Sequence, residues 1–214
     1  MRFPPAEAKI KTLCLRSADG SGTLADCVQA SDSPSTSFRS DPSDPVLDPY
    51  DSYEPHDYQM LTERSDVLVF DTPPLTESVT VAGTITANMF VSCDCRDFDL
   101  WVRLLDVHPD GRAINLMSPG GDAQRMSYRN ESKGRELLEP GETYRVTMDG
   151  LITANRFAAG HRIRVQVSAA FSQYVARNLQ SGESEATSAE SVVATISVHH
   201  GDGYASTLEL PVIP

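Results

Sequence analysis

Serine nucleophiles on strand-to-helix elbows sit in Gly-x-Ser-x-Gly, because the strained turn needs small neighbours on both sides. This sequence has no such match; Gly20-Ser21-Gly22 comes nearest, but it lies in a polar turn from Asp19 to Thr23. A cysteine nucleophile needs a basic partner, and no signature places one near Cys14, Cys27, Cys93 or Cys95. Cys93 and Cys95 share a face if their segment is a strand, but no second His or Cys pair with zinc-like spacing follows. Cys93 and Cys95 therefore read as plain strand-end thiols. His199 and His200 point to opposite faces of a strand and cannot jointly hold one ion without distortion. Those two, with His56, His108 and His161, read as structural or surface residues.

Hard cations take oxygen ligands from loops, so the run Asp94, Asp97, Asp99 suggests calcium. An EF-hand needs glycine at its sixth position, where Asp99 stands counting from Asp94. The run reads instead as a solvated hairpin turn whose acids keep an edge soluble. Asn130-Glu131-Ser132 is a glycosylation sequon by letters alone. Phosphate-binding and dinucleotide-binding glycine fingerprints are missing from the sequence. No catalytic, cofactor-binding or metal-ligating residue is assigned, and no cofactor is expected.

The elements that would carry such residues are strands. Ile163, Val165 and Val167 alternate with Arg162, Arg164 and Gln166, a period of two with one buried face. The same alternation sets Ile85, Ala87, Met89 and Val91 on one face, and Leu100, Val102 and Leu104 opposite Trp101, Arg103 and Leu105. Tyr144, Val146 and Met148 form another such face, Val192, Ala194, Ile196 and Val198 a further one, and Leu208 and Leu210 the last. Pro109-Asp110-Gly111, Pro119-Gly120-Gly121, Pro140-Gly141 and Gly201-Asp202-Gly203 separate them as turns. No window sustains a helical apolar stripe. Short strands between Gly/Pro turns imply an all-β antiparallel sandwich or barrel. Its expected core holds Ile85, Val102, Leu104, Val146, Ile163, Val165, Val167 and Ile196, with Arg164 on the surface between two of them.

Residues 31–59 break the pattern, with five prolines and six acids between positions 41 and 57. Proline cannot donate to a ladder, so this segment reads as a long extended loop and not a sheet strand. A loop of that length inside a domain tends to cover something. Phe38, Val46, Leu47, Tyr50, Tyr53 and Tyr58 are its candidate anchors, with the acids facing solvent. A strand near residues 9–15 precedes it, so the loop interrupts a single domain spanning 1–214. Residues 179–191 read as a second, solvated loop.

At -12, the formal charge repels phosphate backbones and speaks against nucleic acid. No apolar run is long enough to span a bilayer, and the first residues lack a signal-peptide core. No membrane partner is expected, and the cytoplasm is the favoured compartment.

The order of several motifs is more specific than composition. Leu75-Thr76-Glu77 leads into Val79-Thr80-Val81-Ala82-Gly83, then Asp99-Leu100-Trp101-Val102-Arg103-Leu104-Leu105-Asp106-Val107-His108-Pro109-Asp110-Gly111. Arg125-Met126-Ser127-Tyr128-Arg129 and Leu138-Glu139-Pro140-Gly141 follow, then Gly160-His161-Arg162-Ile163-Arg164-Val165 and Arg177-Asn178. This order, from about residue 4 to the end, resembles the C-terminal domain of the cocaine-esterase and X-prolyl dipeptidyl-peptidase superfamily, which includes α-amino acid ester hydrolases and acylases. The resemblance implies a two-sheet β-sandwich of jelly-roll, galactose-binding-like type that packs against an α/β-hydrolase domain. It carries over no catalytic residue, because the family's Ser, Asp and His lie in that other domain.

The expected function is an accessory domain of a serine hydrolase, inert alone, whose partner is the hydrolase domain or a second copy of this chain. The alternative is a free-standing carbohydrate- or peptide-binding module. Sugar faces need aromatics spaced to stack on rings, and aromatics here are 7% with one tryptophan, Trp101.

Overall fold

The computed structural model describes residues 5–18, 21–27, 34–50, 54–117, 121–169, 176–201 and 203–214. Twelve strands run in chain order: β1 (Lys9–Ala18), β2 (Ser21–Ala25), β3 (Ser35–Ser40), β4 (Val67–Asp71), β5 (Val79–Cys93) and β6 (Asp99–Val107). They continue as β7 (Ala113–Asn115), β8 (Ala123–Arg125), β9 (Tyr144–Phe157), β10 (Arg162–Ala169), β11 (Ala194–His199) and β12 (Thr207–Ile213). The only helical pieces among the described residues are three short 3-10 turns. The fold is an all-β sandwich.

Hydrogen bonding follows the order β3-β11-β5-β12-β1-β2-β4-β10-β6-β7, with β9 on β5 and β8 on β6. Every pairing is antiparallel except β2 with β4, a single parallel bridge from Thr23 to Asp71 that joins the two halves. At that junction the backbones come so close that a Cβ on Gly22 would run into the carbonyl of Val69, so only glycine fits. Gly160, at φ +84, closes the turn into β10 in a conformation that L side chains rarely adopt.

One core lies between the halves. Leu13, Ile85, Met89, Val91 and Leu208 meet Phe70, Val102, Leu104, Ile163, Val165 and Val167 in it. All eight expected core residues are buried, none more than 3% exposed. The period of two sends these side chains inward, and apolar burial at about 25 cal/mol per Å² drives the closure.

Several expectations need correction. The Pro-rich stretch does contain a strand: β3 pairs with β11 from Ser40–Ala194 to Ser35–His199. Its six residues contain no proline, so every backbone N–H can donate. Val192 does not join the face of Ala194, Ile196 and Val198. Its N–H goes to Leu179 O and its carbonyl accepts from Gln180 Nε2, and these bonds hold it outside the ladder at 46% exposure. Arg164 is not a surface residue; it is 9% exposed, and its Nε and Nη2 each lie 2.7 Å from an Asp71 carboxylate oxygen. The cysteines are not free thiols but two disulfides, Cys14–Cys27 and Cys93–Cys95. Spacing alone does not fix cysteine connectivity, and the Cys14–Cys27 bridge depends on how β1 and β2 pair.

Candidate functional site

Strand β6 is buried along its whole length, on both faces. Leu100, Val102 and Leu104 enter the main core, while Trp101, Leu105 and Val107 form a second cluster with Val46, Tyr58, Leu61, Val67 and Ala113. Residues 41–50 and 54–58 thus act as a strap over the outer face of β6. Val46 is 0% and Tyr58 2% exposed, whereas Leu47 is half-exposed, and Tyr53 lies outside the described residues. Phe38 belongs to β3 and the main core.

Polar groups fix the strap. Trp101 Nε1 donates to Asp122 at 2.8 Å, and the Arg103 guanidinium lies between the Trp101 ring (3.6 Å) and the Tyr58 ring (4.2 Å). Tyr58 Oη donates to Asp48 at 2.8 Å. Asp48 is therefore buried among the strap's anchors, not solvent-facing as its acidic neighbourhood suggests. Burial, reinforced by Asp48, holds the Tyr58 hydroxyl protonated far above its ordinary range. The strap then pairs with the edge of β7: Tyr58 N donates to Ala113 O at 2.8 Å and Asn115 N to His56 O at 2.9 Å. Tyr50 stacks on His56 with centroids 4.0 Å apart and donates its hydroxyl to Asp57 O.

The residues that could do chemistry are mostly engaged in structure. Ser21 opens β2, and Gly20 lies outside the described residues. The acid run is not the solvated turn expected, since Asp97 and Asp99 are buried: Asp94 accepts from Thr195 N, Asp97 from Ser127 N, and Asp99 from Arg125 and Asn178 Nδ2, tying three different segments. Burial raises the Asp97 carboxyl above its ordinary value. Arg125 adds Glu185, fastening the 179–191 loop to β8. Asn130 Oδ1 accepts from Ser132 N and caps a 3-10 turn.

The histidines separate as expected at 199 and 200. His200 is 2% exposed, with Nε2 2.8 Å from Thr36 Oγ1, and burial pushes its pKa down to about 4. His199 lies on the open face, with Nε2 2.9 Å from Ser92 Oγ. This pairs a hydroxyl with an imidazole, but among the described residues no carboxylate bonds the ring, and burial lowers its basicity. The pair lacks the orienting third group of a working triad. His108 and His161 instead meet beside Asp106, a contact that no local spacing announces.

The motifs that set the sequence apart meet in these contacts: Asp99 with Arg125 and Asn178, and Asp106 with His161. Residues 1–209 match the family described as the X-Pro dipeptidyl-peptidase C-terminal non-catalytic domain. The chain belongs to that family. Among curated proteins, this C-terminal domain is 37% identical over 203 residues to the cocaine esterase of Rhodococcus sp. (strain MB1 Bresler). The match covers 91% of the domain and 35% of that esterase. A putative serine esterase of Mycobacterium bovis is 28% identical over 71% of the domain and 24% of its own length. Among solved structures, an α-amino acid ester hydrolase superposes with TM-score 0.81 at 28% identity, covering 94% of the domain and 36% of that enzyme. An aminopeptidase from a marine sediment archaeon (Thaumarchaeota) gives 0.81 at 26% identity, covering 95% and 37%. The domain spans about a third of the length of the cocaine esterase and of these two solved enzymes.

Proposed function

We propose that this chain serves as the accessory C-terminal domain of a serine hydrolase of the esterase, acylase or X-Pro dipeptidyl-peptidase type. In this reading it shapes or covers the active site of an α/β-hydrolase domain and performs no chemistry itself. The observation that carries the reading is the non-catalytic domain match over residues 1–209 beside relatives three times as long. Two structural features support it. The Ser92–His199 pair has no orienting acid among the described residues, and the family motifs are spent on interlocking strands and loops. The binding-module alternative loses its best aromatic, because Trp101 is 0% exposed beneath the strap and cannot stack on a sugar.

The test is turnover of p-nitrophenyl esters and X-Pro anilides by the purified chain, with its association state read by light scattering. No turnover is expected. Hydrolysis abolished by Ser92→Ala would overturn the reading, and a stable homodimer would point to self-association in place of a hydrolase partner.

A further inference from the structure

Three potential metal-ligand donors gather where β6 ends and β10 begins. Asp106 near the end of β6, His108 in the turn after it, and His161 just before β10 each present one ligating atom. These three atoms all lie within 4.8 Å of one another. The β6–β10 ladder makes the meeting, because Asp106 pairs with Ile163 and Val107 with Arg162. His161 Nδ1 is 2.8 Å from Asp106 Oδ1, and Asn155 Nδ2 donates to the other oxygen at 3.2 Å. The two imidazoles stand 4.4 Å apart between centroids, tilted by 41°.

The hydrogen bond to Asp106 accounts for His161 but not for His108, whose side chain makes no hydrogen bond among the described residues. Yet His108 is held beside them. Its backbone N–H donates to Arg112 O at 2.8 Å and its carbonyl accepts from Gly111 N at 2.9 Å, which closes the turn. The nearby guanidinium groups are committed elsewhere: Arg112 to Asp110, Arg162 to Thr72 O and Arg164 to Asp71. The buried carboxylate of Asp106 therefore meets two imidazoles and an amide.

We propose that Asp106, His108 and His161 form a divalent transition-metal site, suited to Zn²⁺. Two imidazole nitrogens and one carboxylate match the donors that Zn²⁺ takes, whereas Ca²⁺ and Mg²⁺ call for oxygen alone. Zn–ligand distances of about 2.0–2.1 Å place tetrahedral donors roughly 3.3 Å apart. Donors already within 4.8 Å of one another would need only ring rotation at the two half-buried histidines to reach that spacing. Asn155 orients the carboxylate from behind, as supporting groups do at metal sites. The bound ion would clip the β6–β7 turn to the entry of β10, adding a cross-link at one end of the sandwich.

The experiment uses tag-free, chelator-treated protein titrated with ZnCl₂ by calorimetry, with bound metal counted by elemental analysis and thermal melting followed in parallel. One Zn²⁺ per chain and a raised melting temperature are expected. His108→Ala should weaken binding by at least about tenfold and leave the zinc-free melting temperature unchanged. Asp106→Asn should do the same to binding. If that variant fails to fold, His108→Ala decides alone. Wild-type protein that takes up no Zn²⁺, or His108→Ala with unchanged affinity, would overturn the site.

Discussion

Leu105 gives the sharpest check that the strap docks on the outer face of β6. Its side chain is 0% exposed, yet it belongs to the strap's cluster with Val46, Tyr58 and Trp101 and not to the sandwich core. Cutting leucine back to alanine removes ~2.4 kcal/mol of transfer free energy, at about 0.8 kcal/mol per buried carbon. The space left under the strap adds a cavity cost, so Leu105→Ala should destabilise by about 2–5 kcal/mol. Leu104→Ala, on the core face of the same strand, should fall in the same range. A strap that were merely a solvated acidic linker would leave Leu105 in water, and truncation would then cost about 0.5 kcal/mol or less. Urea unfolding followed by tryptophan fluorescence suits the assay, since Trp101 is the chain's single tryptophan and sits in the same cluster. A loss under about 1 kcal/mol for Leu105→Ala, beside a full loss for Leu104→Ala, would refute the docked strap.

Acidification should weaken the fold through His200. With its folded pKa near 4 and an unfolded value of 6.5, the unfolded chain binds the extra proton between those limits. Stability is then complete above about pH 6.5 and declines by about 3 kcal/mol as pH falls to 4. His200→Gln should flatten that slope in urea titrations across the window, and an unchanged slope would count against the burial argument. Arg164→Ala should cost about 2 kcal/mol in the same unfolding assay, because it strips two charge-assisted bonds from Asp71. A loss within about 0.5 kcal/mol would return Arg164 to the surface. Cys27→Ser opens a cross-link between residues 13 apart and should lower stability by up to about 3 kcal/mol. Equal stability of the variant and the parent, together with free thiols in the parent, would show that the bridge does not form.

Much of this architecture is legible in the sequence where burial is one-sided. Alternation marks β5, β6, β9, β10, β11 and β12 because each sends one row of side chains into the core. The reading weakens where a second surface intrudes. Arg164 and Trp101 occupy the outward rows of β10 and β6, but the strap and the 3-10 turn Gln59–Glu63 cover those rows, as the 2.7 Å contact of Arg164 with Gln59 shows. Strand β4 is five residues of Val-Leu-Val-Phe-Asp, too short and too evenly apolar for a period to emerge. β3 is hidden among prolines that lie beside the strand, not in it. The long loop's covering role was readable from Val46 and Tyr58, but the burial of Asp48 was not, because an acid's partner is set by the fold. The cluster of Asp106, His108 and His161 escaped for the same reason. Its members are joined by ladder register across 55 positions, beyond the reach of any local motif.

Domain exchange tests the accessory role most directly. The C-terminal third of the cocaine esterase that is 37% identical to this chain would be replaced by residues 1–214, and ester turnover and thermal half-life compared with those of its catalytic part alone. If the domain is an accessory part, the chimera keeps esterase turnover and outlives the truncated enzyme on heating. A chimera no more active and no more durable than the catalytic part by itself would contradict it.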